Sequence, residues 1–119
     1  FHEDVVHGPL PEAFVEQAMA ESLKLPARVW QAALEGLLAA DDSDRLGQIA
    51  APTLLIWGER DYFITPEEQE RLAVAIPDAR LVIYPATGHA PHWERPERIV
   101  GDLEAFVKAT ATSCLGCQP

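Results

Sequence analysis

Two short apolar runs in the second half of the chain constrain the fold more than any other feature. The runs PTLLIW (52–57) and RLVIY (80–84) are rich in β-forming residues, and a helix start, TPEE (65–68), lies between them. Runs of this kind are typical of strands buried on both faces of a parallel sheet. Two strands joined through a helix lie parallel, with a right-handed crossover. The sequence therefore predicts an α/β fold with two parallel strands and flanking helices.

The first half of the chain has a helical pattern instead. Apolar residues recur at three- and four-residue spacing from residue 11 to residue 40, and Pro26 interrupts them, so we expect a pair of helices. The chain is expected to divide into residues 1–10 as a loop or frayed end, 11–50 as the helix pair and its connector, 51–109 as the strand-helix-strand-helix unit, and 110–119 as a flexible tail.

Composition removes several classes of protein. The 119 residues carry 9 Lys and Arg against 19 Asp and Glu, a formal charge of −10. Phosphate would repel such a chain, so nucleic acid and anionic membranes are not expected as partners. The longest uncharged apolar run is too short to cross a bilayer, and no secretory leader is visible. We therefore expect a cytoplasmic protein.

The residues that can carry chemistry follow the two strands. Functional groups of α/β sheets lie just past the carboxyl ends of the strands. Here those positions hold Asp61 after the first strand and His89 after the second. Neighbouring parallel strands are about 4.8 Å apart, so the two side chains are expected to meet. A carboxylate beside an imidazole fixes the ring tautomer and stabilises the imidazolium, and Gly88 is expected to allow a sharp turn that exposes His89.

These motifs resemble the C-terminal portion of α/β-hydrolase-fold proteins. The matching segments are PTLLIWGERD (52–61), ARLVIYPATGH (79–89) and PHWERPERIVGDLEAFV (91–107). The resemblance implies that Asp61 is the triad acid and His89 the triad base, and that the residues Glu94 to Glu97 begin the last helix. It also implies that the helix pair is part of a lid over the substrate pocket. No cofactor and no metal are implied.

The chain departs from that family at the nucleophile. The family places its serine in a G-x-S-x-G elbow between a strand and a helix. Ser22, Ser43 and Ser113 lack the flanking glycines, and His7-Gly8 matches the oxyanion segment only as letters. We therefore expect the isolated chain to have essentially no hydrolase turnover. Whether this chain is itself an enzyme stays open.

Aromatic residues and cysteines supply the remaining candidates. Trp30 in the second helix, together with Tyr62 and Phe63 after the acid, are candidate substrate-binding residues, and packing within a core or under the lid is the alternative. A free, flexible tail is favoured over redox chemistry for Cys114 and Cys117, because no strand-to-helix setting lowers a thiol pKa there.

Two functions from different classes follow. The first is the C-terminal part of a serine-type hydrolase that cleaves an ester, thioester or carbon–carbon bond of a small apolar substrate. The second is a non-catalytic dimerising or interaction module derived from the same fold. Two strands alone make a marginal sheet with an unpaired edge. The expected partner along that edge is a missing N-terminal half or a second copy of the chain.

Overall fold

The computed structural model describes residues 5–115, with side chains described as far as residue 112. Along that range the elements are helix α1 (Glu12–Ser22), helix α2 (Ala27–Ala39), a 3-10 helix (Ser43–Gln48), strand β1 (Thr53–Gly58), helix α3 (Pro66–Ala75), strand β2 (Ala79–Tyr84), a short helix α4 (Pro91–Glu94) and helix α5 (Pro96–Leu115). This order confirms the predicted α/β fold, in which a helix pair precedes a strand-helix-strand-helix unit.

The two strands pair in parallel, and this pairing positions the site. Gly58 at the end of β1 lies opposite Tyr84 at the end of β2, so the loops that follow both strands leave from the same edge. The crossover helix α3 begins in a capping box. The Thr65 hydroxyl accepts the N–H of Glu68 at 3.3 Å, and the Glu68 carboxylate accepts the N–H of Thr65 at 2.8 Å.

The buried core is small. Its apolar members are Val5, Trp57, Ile76, Tyr84 and Ala90. Tyr84 is fully buried, its hydroxyl donates to the Asp102 carboxylate at 2.5 Å, and the Arg98 guanidinium lies 3.9 Å from the ring centroid. These contacts attach helix α5 to strand β2 through a polar group that is satisfied inside the protein.

Strand β1 is less covered than its sequence predicts. Trp57 and Gly58 are buried, whereas residues 53–56 are half-buried. The prediction of a strand buried on both faces is therefore wrong for this chain. The physical reason is that the described residues supply one neighbouring strand, so part of each face of β1 stays open to water.

Of the two alternatives predicted for residues 1–10, a loop or a frayed end, the frayed end does not describe residues 5–8, which are held in place. Val5 is buried, and its carbonyl accepts the N–H of Ala90 at 3.1 Å. Gly8 donates its N–H to the Glu94 carboxylate at 2.9 Å. This segment is held because its backbone groups find partners in Ala90, which follows β2, and in Glu94 of helix α4.

The predicted flexible tail is wrong for residues 110–115, which continue helix α5. The hydroxyls of Thr110 and Thr112 donate to carbonyls four residues earlier, so these side chains are satisfied inside the helix instead of breaking it. Residues 1–4 and 116–119, including Cys117, lie outside the described residues, as does the side chain of Cys114.

Helices α1 and α2 leave much apolar surface open. The exposed apolar side chains of the helix pair and its turn include Met19, Leu23, Leu34, Leu37 and Leu38. The radius of gyration is 17.2 Å, against about 13.5 Å for a compact domain of this length.

None of the helices described combines the length and apolar character needed to cross a membrane.

Candidate active site

Backbone hydrogen bonds join the two strand-end loops. The N–H of Glu59 donates to the Tyr84 carbonyl at 2.9 Å, and the N–H of Arg60 donates to the Thr87 carbonyl at 2.8 Å. Thr87 is fully buried. The ladder between the strands thus continues into the loops, which fixes the segment after β1 against the segment after β2.

The structure brings Asp61 and His89 together across 28 positions of sequence. His89 Nδ1 lies 2.9 Å from Asp61 Oδ2. The other carboxylate oxygen, Oδ1, accepts the N–H groups of Phe63 at 2.8 Å and Ile64 at 3.1 Å. Because those two donors hold Oδ1, Oδ2 is the oxygen that faces the imidazole.

The acid is buried and the imidazole is accessible. The Asp61 side chain is 3% exposed, and the His89 side chain is 43% exposed. When Nδ1 carries the ring proton and donates it to Asp61, Nε2 has a free lone pair that can accept a proton from a reacting group. The arrangement can therefore perform general base and general acid chemistry at Nε2.

Two glycines allow the loops to approach this closely. A Cβ at Gly58 would collide with the carbonyl oxygens of Thr87 and Gly88. A Cβ at Gly88 would lie 2.8 Å from the backbone nitrogen of His7 and 2.9 Å from the Val5 carbonyl oxygen. No described glycine has a positive φ, so a left-handed backbone conformation is not the reason for glycine at position 88. Gly88 is needed for close approach.

The turn is made at Ala86, whose φ of 49° is positive. This left-handed conformation is strained for a residue with a Cβ. The Glu59 carboxylate accepts the Ala86 N–H at 3.3 Å, and Arg95 donates to the Ala86 carbonyl at 3.4 Å. The surrounding groups therefore hold the strained residue three positions before His89.

Glu94 is a residue of the site that the sequence reasoning missed. Its carboxylate accepts the N–H of Gly88 at 2.7 Å and the N–H of Gly8 at 2.9 Å. The family resemblance implies that the last helix begins at Glu94, but Glu94 ends α4, and the last helix begins at Pro96. A signal was present, because Glu94 is the lone acid between Gly88 and Pro96.

The aromatic candidates lie in two different places. The ring of Phe63 packs edge-on against the His89 imidazole with centroids 5.1 Å apart, and Tyr62 packs against Phe63 while remaining exposed. Trp30 lies in the helix pair, where it lines an apolar cleft of about 640 Å³ with Met19 and Leu34. Its indole N–H donates to the Ser22 carbonyl at 3.1 Å.

The serines and metal-binding side chains were also located. Ser22 ends helix α1, Ser43 begins the 3-10 helix, and Ser113 lies in α5, so none of the three follows a strand. Among residues 5–112, whose side chains the structure describes, no group of three His, Cys, Asp or Glu side chains is arranged to hold a metal ion.

The fold and the strand-end pair define an α/β protein with hydrolase-like geometry. A sequence model of the Alpha/beta hydrolase family matches residues 2–102 of this chain. The match covers most of the chain, and it shows that the chain belongs to the alpha/beta hydrolase family.

Particular relatives match parts of the chain. It is 41% identical to the 2-hydroxy-6-oxo-6-phenylhexa-2,4-dienoate hydrolase of Burkholderia cepacia over 61 residues, which are 51% of this chain and 21% of that protein. It is 36% identical to the pimeloyl-(acyl-carrier protein) methyl ester esterase of Nitrosomonas europaea over 76 residues, covering 64% of this chain and 30% of that protein. A solved membrane phospholipase A, a bacterial virulence factor, matches with a TM-score of 0.70 and 28% identity, covering 90% of this chain and 36% of that one. The chain thus spans less than a third of the length of these two curated relatives.

Proposed function

We propose that this chain carries the acid and the base of a serine-type hydrolase. The observation that carries the proposal is the 2.9 Å contact between His89 Nδ1 and the buried Asp61 carboxylate. In the proposed reaction, His89 Nε2 takes the proton of an attacking serine hydroxyl, and Asp61 stabilises the imidazolium that forms. His89 then gives that proton to the leaving group, and the steps repeat with water to release the acyl product.

The nucleophile and the oxyanion donors have to come from outside these residues. Within the described range the serines lie in helices, away from the strand-end loops. In the proposed enzyme a longer polypeptide or a second chain supplies the missing strands, the serine and the oxyanion donors. The isolated chain is therefore expected to be inactive, because losing a triad nucleophile lowers kcat by about a millionfold.

The proposed substrate is a small, largely apolar ester, thioester or ketone with a cleavable carbon–carbon bond. Support comes from the dienoate hydrolase and the methyl ester esterase among the relatives. The apolar cleft beside Trp30 supports an apolar ligand, and Phe63 against His89 supports apolar contact near the reacting bond.

The proposal needs no cofactor. The acidic composition supports a cytoplasmic location, which fractionation of the native source would test.

The test uses the native hydrolase that contains this sequence, assayed on nitrophenyl esters, acyl thioesters and a 2-hydroxy-6-oxo-dienoate. We expect His89→Ala to lower kcat on the preferred substrate by about a millionfold. His92→Ala is the matched control, because His92 is exposed and its recorded contact is with the Trp93 ring. Equal rates for the wild-type and His89→Ala proteins would overturn the proposal.

The second candidate is a non-catalytic interaction module. It is favoured by the open apolar faces of α1 and α2 and by a two-stranded sheet with unpaired edges in the described residues. Such surfaces associate with other chains. If the native polypeptide contains no nucleophile and no second chain supplies one, this candidate replaces the hydrolase.

A further inference from the structure

The Glu94 carboxylate accepts hydrogen bonds from two backbone N–H groups, one of them in the loop that carries His89. Glu94 Oε1 accepts the N–H of Gly88 at 2.7 Å, and Glu94 Oε2 accepts the N–H of Gly8 at 2.9 Å. The two donors lie 80 positions apart in the sequence. Gly88 is buried, so its N–H cannot turn to water instead. An ionised carboxylate has two acceptor oxygens and forms strong hydrogen bonds with both donors.

The backbone of segment 5–8 and the Glu94 carboxylate pack closely around Gly88. A Cβ there would lie 2.8 Å from the backbone nitrogen of His7, 2.9 Å from the Val5 carbonyl oxygen and 3.0 Å from Glu94 Oε1. Segment 5–8 therefore lies directly against the loop, and Glu94 contacts both. The carboxylate joins a distant segment of chain to the residue that precedes His89.

The backbone is held on both sides of His89. On one side Gly88 donates to Glu94, and on the other side the N–H of Ala90 donates to the Val5 carbonyl at 3.1 Å. The imidazole itself is 43% exposed and has the Asp61 contact and the Phe63 ring to direct it. An exposed ring keeps one orientation when its backbone is fixed and its partner is near. Release of Gly88 would let His89 move relative to Asp61.

We propose that Glu94 is a positioning residue for His89. By accepting the N–H groups of Gly88 and Gly8, it holds the loop so that the imidazole stays in line with Asp61 Oδ2. Glu94 acts through the backbone, and its recorded hydrogen bonds reach neither the imidazole nor the Asp61 carboxylate. The assignment rests on the proposed function of His89, and it deepens that function.

The experiment follows the His89 ring in the full 119-residue chain by long-range ¹H–¹⁵N NMR, together with hydrogen exchange at the Gly88 and Gly8 amides. We expect wild-type His89 to show one tautomer, with the proton on Nδ1. In Glu94→Ala we expect a mixture of tautomers and at least about tenfold faster exchange at both amides. Glu97→Ala is the matched control, because it removes an exposed acid in the first turn of α5, three residues from Glu94.

A second variant keeps the test decisive if Glu94→Ala does not fold. Glu94→Gln keeps one acceptor oxygen, so it leaves one of the two amides without a partner while preserving the size of the side chain. We expect it to speed exchange at one amide and to give an intermediate tautomer mixture. An unchanged tautomer in a folded Glu94 variant overturns the proposal. Global unfolding of both variants also overturns it, because Glu94 would then support the whole fold.

These readouts separate the positioning role from the proposed function. A wild-type chain with a single His89 tautomer that depends on Glu94 supports the positioning role even where the native protein hydrolyses nothing. A hydrolase that loses activity in His89→Ala but keeps its tautomer in both Glu94 variants supports the function and refutes the positioning role.

Discussion

Asp61 gives its two carboxylate oxygens different partners. Oδ1 is held by two backbone N–H groups of its own loop, and Oδ2 faces His89 Nδ1. This division orients a nearly buried acid without help from the imidazole. The sequence placed both residues at strand ends because parallel strands bring their loops together. It could not predict the orientation of the carboxylate, which depends on the local turn after Asp61.

The contact between Glu94 and Gly8 was beyond the sequence for a physical reason. Glu94 joins Gly8 across 86 positions, and no local spacing rule reports a contact over that distance. Gly88 was singled out correctly as a special position, but its steric cause is close approach, and the positive φ falls on Ala86. Glycine is favoured both where φ is positive and where another segment of the chain approaches closely. A single sequence does not tell which of the two causes applies.

At the residue scale we predict that Gly58→Ala destabilises the chain. The new methyl group would collide with the carbonyls of Thr87 and Gly88, so the loop carrying His89 would have to shift. We expect the free energy of unfolding to fall by about 3 kcal/mol, measured by urea denaturation.

Gly36→Ala is the matched control for that substitution. Gly36 lies inside helix α2, where a Cβ meets nothing within 4 Å. Alanine there should stabilise the helix by about 0.5–1 kcal/mol. If Gly58→Ala were as stable as the wild type, the close approach of the two loops would be wrong.

At the scale of elements, a buried tyrosine joins strand β2 to helix α5. Burial, and then the hydrogen bond to Asp102, raise the pKa of Tyr84 to about 12. The neutral phenol is therefore favoured in the folded chain. In the unfolded chain the pKa of the tyrosine is about 10. The stability from this group is fully present below pH about 10 and is lost as the pH rises towards 12.

We predict an alkaline loss of stability that Tyr84→Phe lacks. The urea midpoint of the wild type should fall between pH 10 and about 12 more steeply than that of the variant, which has no phenol to ionise. The variant should also be less stable at pH 7, because the buried Asp102 contact is lost. Tyr62→Phe is the control, since Tyr62 is 84% exposed. Identical alkaline curves for the wild type and Tyr84→Phe would refute this account.

Most elements could be predicted from local signals. The strands, the helix pair around Pro26 and the start of α3 all had strong patterns, and the capping box of Thr65 and Glu68 explains that start. The sequence predicts the end of the last helix at residue 109, because residues 110–115 have no apolar stripe, whereas the helix continues to Leu115. The hydroxyls of Thr110 and Thr112 donate to carbonyls of the same helix, so these polar side chains are compatible with a continuous helix.

At the scale of the whole molecule, the open helix pair is the main feature. A radius of gyration of 17.2 Å and the exposed leucines of α1 and α2 describe a chain with apolar surface that needs cover. In the proposed hydrolase the missing strands and the rest of the lid provide that cover. In the interaction-module alternative a second copy provides it. Sequence patterning showed which helix face is apolar, but it carried no information about what covers that face.

We predict that the isolated chain self-associates through the helix pair. Sedimentation velocity should show a coefficient that rises with concentration, because exposed apolar surface associates. Leu37→Glu combined with Leu38→Glu should reduce this association, since both side chains are more than 70% exposed. Val74→Glu is the control, because Val74 is an exposed apolar residue on α3. A wild-type monomer with cooperative unfolding at all concentrations would contradict the prediction.

The ring tautomer of His89 in Asp61→Asn tests whether Asp61 orients the imidazole. Two backbone N–H groups hold Oδ1, so the introduced amide should keep its oxygen there and turn its NH₂ towards the ring. By ¹H–¹⁵N NMR we predict an Nδ1 proton in the wild type and in the control Asp78→Asn, and transfer of that proton to Nε2 in Asp61→Asn. A wild-type His89 with the same tautomer mixture as the exposed His92, or a tautomer unchanged by Asp61→Asn, would contradict the account.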